Sequence, residues 1–172
     1  MDILEIITDE KEKKIYEKYA SKPLFFHVID FAKELGIVVK ESDELPSKTS
    51  GFTKKTEKGI FICVNSKNHE NTKRFTVAHE LGHYFLHRGE LQNGIVDGIE
   101  LKMEEGKEDP KEDEANKFAA NLLMPKELFK QLWDKEDYSI GSIAERFFVS
   151  ESAVITRAKD LKLVKDYQVY FA

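Results

Sequence analysis

Residues 74–84 have the sequence RFTVAHELGHY, and most of what can be predicted for this chain starts from them. Apolar residues occur nearly all the way round this segment, which predicts a helix enclosed by the fold. Asn71 or Thr72 can cap the start of the helix, and the pattern continues to about Leu86. The segment is therefore predicted to be the central helix of the domain.

Two histidines on this helix can bind one metal ion. Residues four apart are separated by about 6 Å along the axis and about 40° around it, so His79 and His83 can direct both imidazoles at one point. Neutral imidazole is a good zinc ligand, and a catalytic zinc site combines three protein ligands with water. Glu80 can take a proton from that water and pass it to a leaving amine. The residues alone predict a metal-dependent hydrolase of peptides; two histidines bonded to backbone or water are the alternative.

The third protein ligand has to come from another segment. His87 lies about 12 Å along the helix axis from His79, which is too far for one tetrahedral ion. We interpret His87 as a helix-end or pocket-wall residue. The three-histidine pattern of another metallopeptidase class would need histidine at position 89, where this chain has Gly89.

A second segment, EDEANKFAANLLMP at residues 112–125, supplies the candidate ligand. Its helical pattern places Glu112 near the apolar stripe, whereas Asp113 and Glu114 point well away from it. Glu112 is therefore the predicted third ligand; the alternative is a carboxylate that stabilises the helix start. Asn116, one turn on, either holds a ligating histidine by its second ring nitrogen or is an ordinary polar residue. The stripe comprises Ala115, Phe118, Ala119, Leu122 and Leu123.

The two segments together resemble the ImmA/IrrE-type metallopeptidases of bacteria and their mobile elements. The similarity covers about residues 29–133. It implies that His79, His83 and Glu112 bind the metal and that Glu80 is the catalytic acid/base. It also implies a zincin-like fold, with a small sheet beside the active helix, and substrates that are transcriptional repressors cleaved at specific sites.

The remaining pattern predicts an α+β fold. Short β-rich runs at residues 37–39 and 59–64, with a candidate third at 50–53, predict a small, mostly antiparallel sheet packed on the active-site helix. We predict a zincin-like metallopeptidase domain at residues 1–134. A C-terminal segment of helix-turn-helix-like helices, at residues 135–172, is predicted to pack on it.

Further helices are predicted on both sides of the two motifs. Amphipathic patterns indicate helices at residues 9–20, 23–35, 112–123 and 125–133. Residues 90–111 are polar and acidic and are predicted to form a long loop. Long loops within compact domains often carry functional residues.

The C-terminal segment has the rhythm of a helix-turn-helix, with Ser150 as the cap of its second helix. One interpretation is DNA binding through residues such as Arg157 and Lys159. However, residues 137–172 contain five acidic and five basic residues, whereas phosphate contacts require a basic surface. We therefore favour packing or partner recognition and do not predict nucleic-acid binding.

Composition limits the remaining possibilities. The 172 residues carry a formal charge of −5, which argues against general attraction to nucleic acid or anionic lipid and favours a protein partner. The one cysteine, Cys63, excludes an internal disulfide and a cysteine-based metal cluster. The start lacks a signal-peptide pattern, and no apolar run reaches the length of a membrane span. We expect a cytoplasmic protein without a membrane partner.

These observations combine into one leading hypothesis and two alternatives. The leading hypothesis is an endopeptidase that uses Zn²⁺, or Mn²⁺, which the same donors accept, and that cleaves a helix-turn-helix repressor. A substrate strand is expected along the sheet edge near residues 59–64, and Tyr84 is either an oxyanion donor or a core residue. The alternatives are a metal-binding module that binds a repressor without cutting it and a DNA-binding regulator.

Overall fold

The computed structural model describes residues 2–21, 25–92, 109–135 and 138–164, without the side chains of Glu90 and Gln92. Within these ranges, helices pack against a small three-stranded sheet, which confirms the predicted α+β class. The elements in chain order are α1 (Ile3–Ile6), α2 (Glu10–Ala20), α3 (Val28–Glu34), β1 (Val38–Ser42), β2 (Gly51–Thr56), β3 (Gly59–Asn65), α4 (Glu70–Leu86), α5 (Arg88–Gln92), α6 (Pro110–Leu123), α7 (Lys126–Trp133), α8 (Ile140–Phe147) and α9 (Glu151–Asp160).

Helix α4 lies at the centre of the molecule, as its apolar residues predicted. It packs against β2, β3, α3 and α6, and the residues in its middle turns are almost all buried. The helix begins at Glu70, earlier than predicted, because the cap is His69 and neither Asn71 nor Thr72. The ring nitrogen Nδ1 of His69 accepts a hydrogen bond from the Asn71 backbone N–H at 3.2 Å.

The sheet has the strand order β1-β3-β2 and is mixed. Strand β3 pairs with β2 antiparallel through a tight hairpin and with β1 in parallel. The sheet was predicted to be mostly antiparallel; the β2–β3 pairing is antiparallel, and the β1–β3 pairing is parallel. Strand direction depends on the path of the connection at residues 43–50, and alternating side chains do not reveal that path.

The central strand position of β3 also corrects the predicted place of the substrate. Within residues 59–64, residues 59 and 60 pair with β2 alone, whereas residues 61–64 pair with a strand on each side. Their backbone groups are therefore already paired and offer no edge to an added strand. The free edges of the described sheet belong to β1 and β2.

Helices α4 and α6 approach closely where two small residues meet. A Cβ atom added to Gly82 would lie 2.9 Å from the Ala115 Cα and 3.0 Å from its carbonyl oxygen. Glycine at position 82 therefore allows the two helix backbones to come together. His79 and Glu112 each lie three residues before this crossing, so the crossing brings the two predicted ligands to the same place.

The C-terminal helices form the predicted pair and are tied to the rest of the protein. Ser150 caps α9, with its Oγ accepting a hydrogen bond from the Ala153 N–H at 3.2 Å. From α4, Arg74 donates to the carbonyl oxygen of Phe147 at 2.7 Å. From α9, Arg157 Nε donates to the Met124 carbonyl oxygen at 3.2 Å, and Arg157 is only 3% exposed. The pair is thus part of the core of the molecule.

Two segment predictions need correction or lie outside the described residues. Helix α3 begins at Val28 instead of Pro23, because the Phe26 carbonyl accepts a hydrogen bond from Arg74 Nη2 at 2.8 Å and no helix forms there. Pro23 itself and residues 93–108 of the predicted long loop lie outside the described residues. None of the helices that the structure describes combines the length and apolar character needed to cross a membrane.

Candidate metal centre

The structure brings together the three side chains predicted as ligands. The Nε2 atoms of His79 and His83 are 3.0 Å apart. The Glu112 carboxylate lies against both rings, with Oε2 at 3.1 Å from His79 Nε2 and Oε1 at 3.2 Å from His83 Nε2. One donor atom from each residue lies within 4.8 Å of the others, so the group could hold a metal ion.

The spacing and chemistry of these donors fit a divalent metal. Bonds of about 2.0–2.1 Å at tetrahedral angles separate neighbouring ligand atoms by about 3.3 Å, close to the spacing observed here. Asn116 Oδ1 lies 2.9 Å from His79 Nδ1, and because an amide oxygen only accepts, Nδ1 carries the proton. In the neutral ring, Nε2 is then the unprotonated nitrogen, and it faces the centre of the group. A cation would relieve the repulsion between such lone pairs.

The Asn116 contact favours one of the two interpretations of that residue. Asn116 comes from α6, one turn after Glu112, and its side-chain oxygen orients the His79 ring. Metal-bound histidines commonly use their second nitrogen in this way, which fixes the tautomer and the ring direction. The Asn116 side chain therefore lies where it can support His79, which was one of the two interpretations of the sequence.

Charges at the centre favour an ionised carboxylate. The hydrogen bonds to His79 and His83 hold the pKa of Glu112 well below its usual range, against the opposing effect of burial. Burial lowers the pKa of His79, but the hydrogen bond to Glu112 and the charges of Glu80 and Glu112 outweigh it and raise this pKa overall. The centre thus presents a negative charge beside two imidazoles, which suits a cation.

Glu80 lies beside the centre without belonging to the donor group. It is 7% exposed, and its Oε2 accepts a hydrogen bond from the Thr53 hydroxyl at 2.7 Å. Burial raises the pKa of Glu80, and the Thr53 bond partly opposes that effect. A carboxylate whose pKa is raised towards neutrality can both accept and release a proton. Thr53, on β2, was not singled out in the sequence because its link to Glu80 depends on tertiary packing.

Two residues near the centre make contacts that the sequence did not predict. His87 was interpreted as a helix-end or pocket-wall residue, and it does end α4; in addition, its Nδ1 lies 3.0 Å from His83 Nδ1. Glu114 was predicted to point away from the apolar stripe of α6, and its side chain is exposed; its Oε2 lies 3.1 Å from His87 Nε2. The helical pattern gave the direction of Glu114 on α6, but it could not show that His87, at the end of α4, lies within reach.

Tyr84 is directed away from the centre. Its hydroxyl donates to Glu12 Oε1 at 2.7 Å, and the Arg88 guanidinium lies over its ring at 4.4 Å. Burial and the Glu12 hydrogen bond raise the pKa of Tyr84 to about 12. With its proton engaged by Glu12, Tyr84 has the packing role and does not supply an oxyanion donor in this structure.

The fold and the centre define a zincin-like α+β domain in which a central helix carries the paired histidines. The Peptidase M78 family, described as the IrrE N-terminal-like domain, matches residues 32–159, and the chain belongs to this family. The resemblance to ImmA/IrrE-type metallopeptidases noted from the two motifs is therefore confirmed.

Other comparisons agree on the fold. A solved structure described as a Mycobacterium tuberculosis transcriptional regulator superposes with a TM-score of 0.59 at 17% sequence identity. The match covers 86% of this chain and 46% of that one, so this chain spans about half the length of the structure it resembles. No curated protein matches the sequence significantly.

Proposed function

We propose that this protein is a zinc-dependent endopeptidase that cleaves a specific transcriptional repressor or related regulatory protein. The observation that carries the proposal is the convergence of His79, His83 and Glu112 beside the buried Glu80. The donors are the two nitrogens and one oxygen that catalytic zinc sites use, and Mn²⁺ is compatible with the same set. Because the chain belongs to a family of peptidases, peptide hydrolysis is the reaction that we propose.

The roles of the residues follow from their positions. When bound, the metal supplies Lewis acidity that makes a water molecule acidic near neutral pH and polarises a carbonyl group. His79, His83 and Glu112 hold the ion, and Glu80 acts as the general base that later gives its proton to the leaving amine. Thr53 keeps one carboxylate oxygen of Glu80 engaged at 2.7 Å, which leaves the other oxygen for proton transfer.

The substrate is placed along β2 in this proposal. Thr53 belongs to β2 and contacts Glu80 directly, so the strand runs past the centre. In the described part of the sheet, β2 pairs with β3 on one side, and its other edge carries no strand. An extended peptide could add to that edge through main-chain hydrogen bonds and bring its scissile carbonyl near the metal.

A regulatory protein as substrate is the finer part of the proposal. The ImmA/IrrE resemblance implies repressor cleavage, and the similar solved structure is named a transcriptional regulator. A cytoplasmic location would follow from such a substrate. Direct DNA binding by this chain receives less support, because Arg157, one of the two bases considered for it, is buried and bonded to Met124 and Asn121.

The experiment compares wild type with Glu80→Gln and His79→Ala, each incubated with zinc and a native bacterial proteome. New protein termini are then identified by mass spectrometry. We expect site-specific cleavages with the wild type only, while Glu80→Gln retains bound zinc and captures the uncleaved substrate. The proposal fails if Glu80→Gln cuts as well as the wild type. If the wild type binds a partner and never cuts it, the protein is a non-cleaving regulatory module.

A further inference from the structure

A histidine–carboxylate pair stands behind one of the proposed ligands. His87 follows α4 directly, and its ring nitrogen Nδ1 lies 3.0 Å from the Nδ1 of His83. On its other side, His87 Nε2 lies 3.1 Å from Oε2 of Glu114 on α6. The His87 side chain is only 10% exposed, so water competes little for these contacts. The proposed function uses neither residue.

Hydrogen-bonding rules give this chain of contacts one direction. An ionised carboxylate only accepts, so the Nε2 of His87 must donate its proton to Glu114. A neutral His87 then has an unprotonated Nδ1, which accepts from the N–H at His83 Nδ1. His83 consequently keeps an unprotonated Nε2 on the side that faces His79 and Glu112. The tautomer of His83 is therefore determined by a carboxylate two residues after Glu112.

We propose that His87 and Glu114 are positioning residues that hold the His83 ring and its tautomer ready for the metal. This inference rests on the proposed metal site and does not depend on peptide cleavage. His79 receives equivalent support from Asn116. Helix α6 therefore provides one proposed ligand, Glu112, and the groups that orient both histidines. Asn116 orients His79 directly, and Glu114 orients His83 through His87.

Zinc affinity measured by competition with a chromogenic chelator tests the proposal. We expect His87→Leu to weaken zinc binding about 10- to 100-fold, as is typical when a group supporting a ligand is lost. His87→Asn should retain most of the affinity, because its amide oxygen takes the place of the accepting Nδ1. Glu114→Ala should fall between these variants, since His87 remains but its tautomer is no longer fixed.

A neighbouring acid provides the matched control. Asp113 precedes Glu114 on α6 and pairs with Lys117, away from His87. We expect Asp113→Ala to bind zinc as the wild type does. The melting temperature of each metal-free variant shows whether the fold is lost or only the orientation of the His83 ring. If His87→Leu does not fold, Glu114→Ala takes its place, because Glu114 lies on the surface.

The tautomer itself gives a second readout. In the zinc-loaded wild type, ¹⁵N chemical shifts of the His87 ring should show a protonated Nε2 and an unprotonated Nδ1. A protonated Nδ1 overturns the proposal, as does a His87→Leu variant with wild-type affinity, or a His87→Asn variant as weak as His87→Leu. If the wild type itself fails to bind zinc, both this inference and the metal site are wrong. If zinc binding follows the expected order while no substrate is cut, only the peptidase proposal fails.

Discussion

The Thr53 hydroxyl has a specific role in the proposed reaction, because it restrains the carboxylate that moves the proton. Both partners are buried, at 1% exposure for Thr53 and 7% for Glu80. Replacing Thr53 by valine keeps the shape and removes the donor. We expect Thr53→Val to lower kcat about tenfold, equivalent to about 1.4 kcal/mol in the barrier, while zinc affinity and KM change little.

The matched variant for this prediction is Thr53→Ser, which restores the hydroxyl without the methyl group. Its kcat should recover towards that of the wild type, whereas a purely structural role would leave both variants impaired in proportion to their loss of stability. Kinetics on a peptide cleaved by the wild type, together with urea unfolding of each variant, make the comparison. An unchanged kcat in Thr53→Val would remove Thr53 from the mechanism.

Single residues at the centre were predictable to the extent that helix geometry determines them. His79 and His83 share a face because they are four residues apart, and Glu112 was found from its rotation about α6. The contacts of Glu114 and Thr53 could not be found in this way. Each depends on how a helix or strand from another part of the chain crosses α4. Neither the rotation of residues about a helix axis nor the alternation of side chains along a strand predicts that crossing.

At the scale of elements, the crossing of α4 and α6 assembles the centre. Gly82 makes the crossing possible, and alanine there would meet the Ala115 backbone at 2.9–3.0 Å. Alanine ordinarily stabilises a helix by about 1 kcal/mol relative to glycine. We expect the opposite for Gly82→Ala: a lower free energy of unfolding and weaker zinc binding, because α6 must move and take Glu112 with it.

Gly89 offers the control for this prediction. It lies in α5, and an added Cβ would have no neighbour within 4 Å. Gly89→Ala should therefore leave zinc affinity close to that of the wild type and should not lower the free energy of unfolding. Chemical denaturation and chelator competition measure the two quantities. A Gly82→Ala protein that binds zinc normally would show that the crossing tolerates the methyl group and does not set the position of Glu112.

The pattern of elements was easier to predict than their arrangement. Helix α4 was recognisable from the apolar residues around it. The C-terminal pair was recognisable from local capping residues, such as Ser150 at the start of α9. The parallel pairing of β1 with β3 was not, since it depends on a connection whose path is fixed by tertiary contacts. The start of α3 was misplaced for a similar reason: the Phe26 carbonyl is held by the distant Arg74.

At the scale of the whole molecule, two buried arginines join the C-terminal helices to the helices that carry the proposed metal ligands. Arg74 extends from α4 to the carbonyl oxygens of Phe147 and Phe148 at the end of α8. Arg157 extends from α9 to the end of α6, where Nη2 donates to Asn121 Oδ1 at 2.8 Å. These bonds cross the predicted boundary at residue 134 and connect the helix pair to both helices that carry ligands.

This connection predicts that the C-terminal pair supports the fold of the peptidase core. We expect Arg157→Met to lower the free energy of unfolding by roughly 3–6 kcal/mol, because it removes two hydrogen bonds of a buried side chain and each such bond to a charged group contributes about 1.5–3 kcal/mol. Unfolding should remain one transition by both circular dichroism and zinc release. Arg146→Met, on the exposed side of α8, should leave stability unchanged. The prediction is contradicted if Arg157→Met is as stable as the wild type but loses sequence-selective DNA binding. In that case Arg157 contacts DNA, and the C-terminal helix pair is a DNA-binding element.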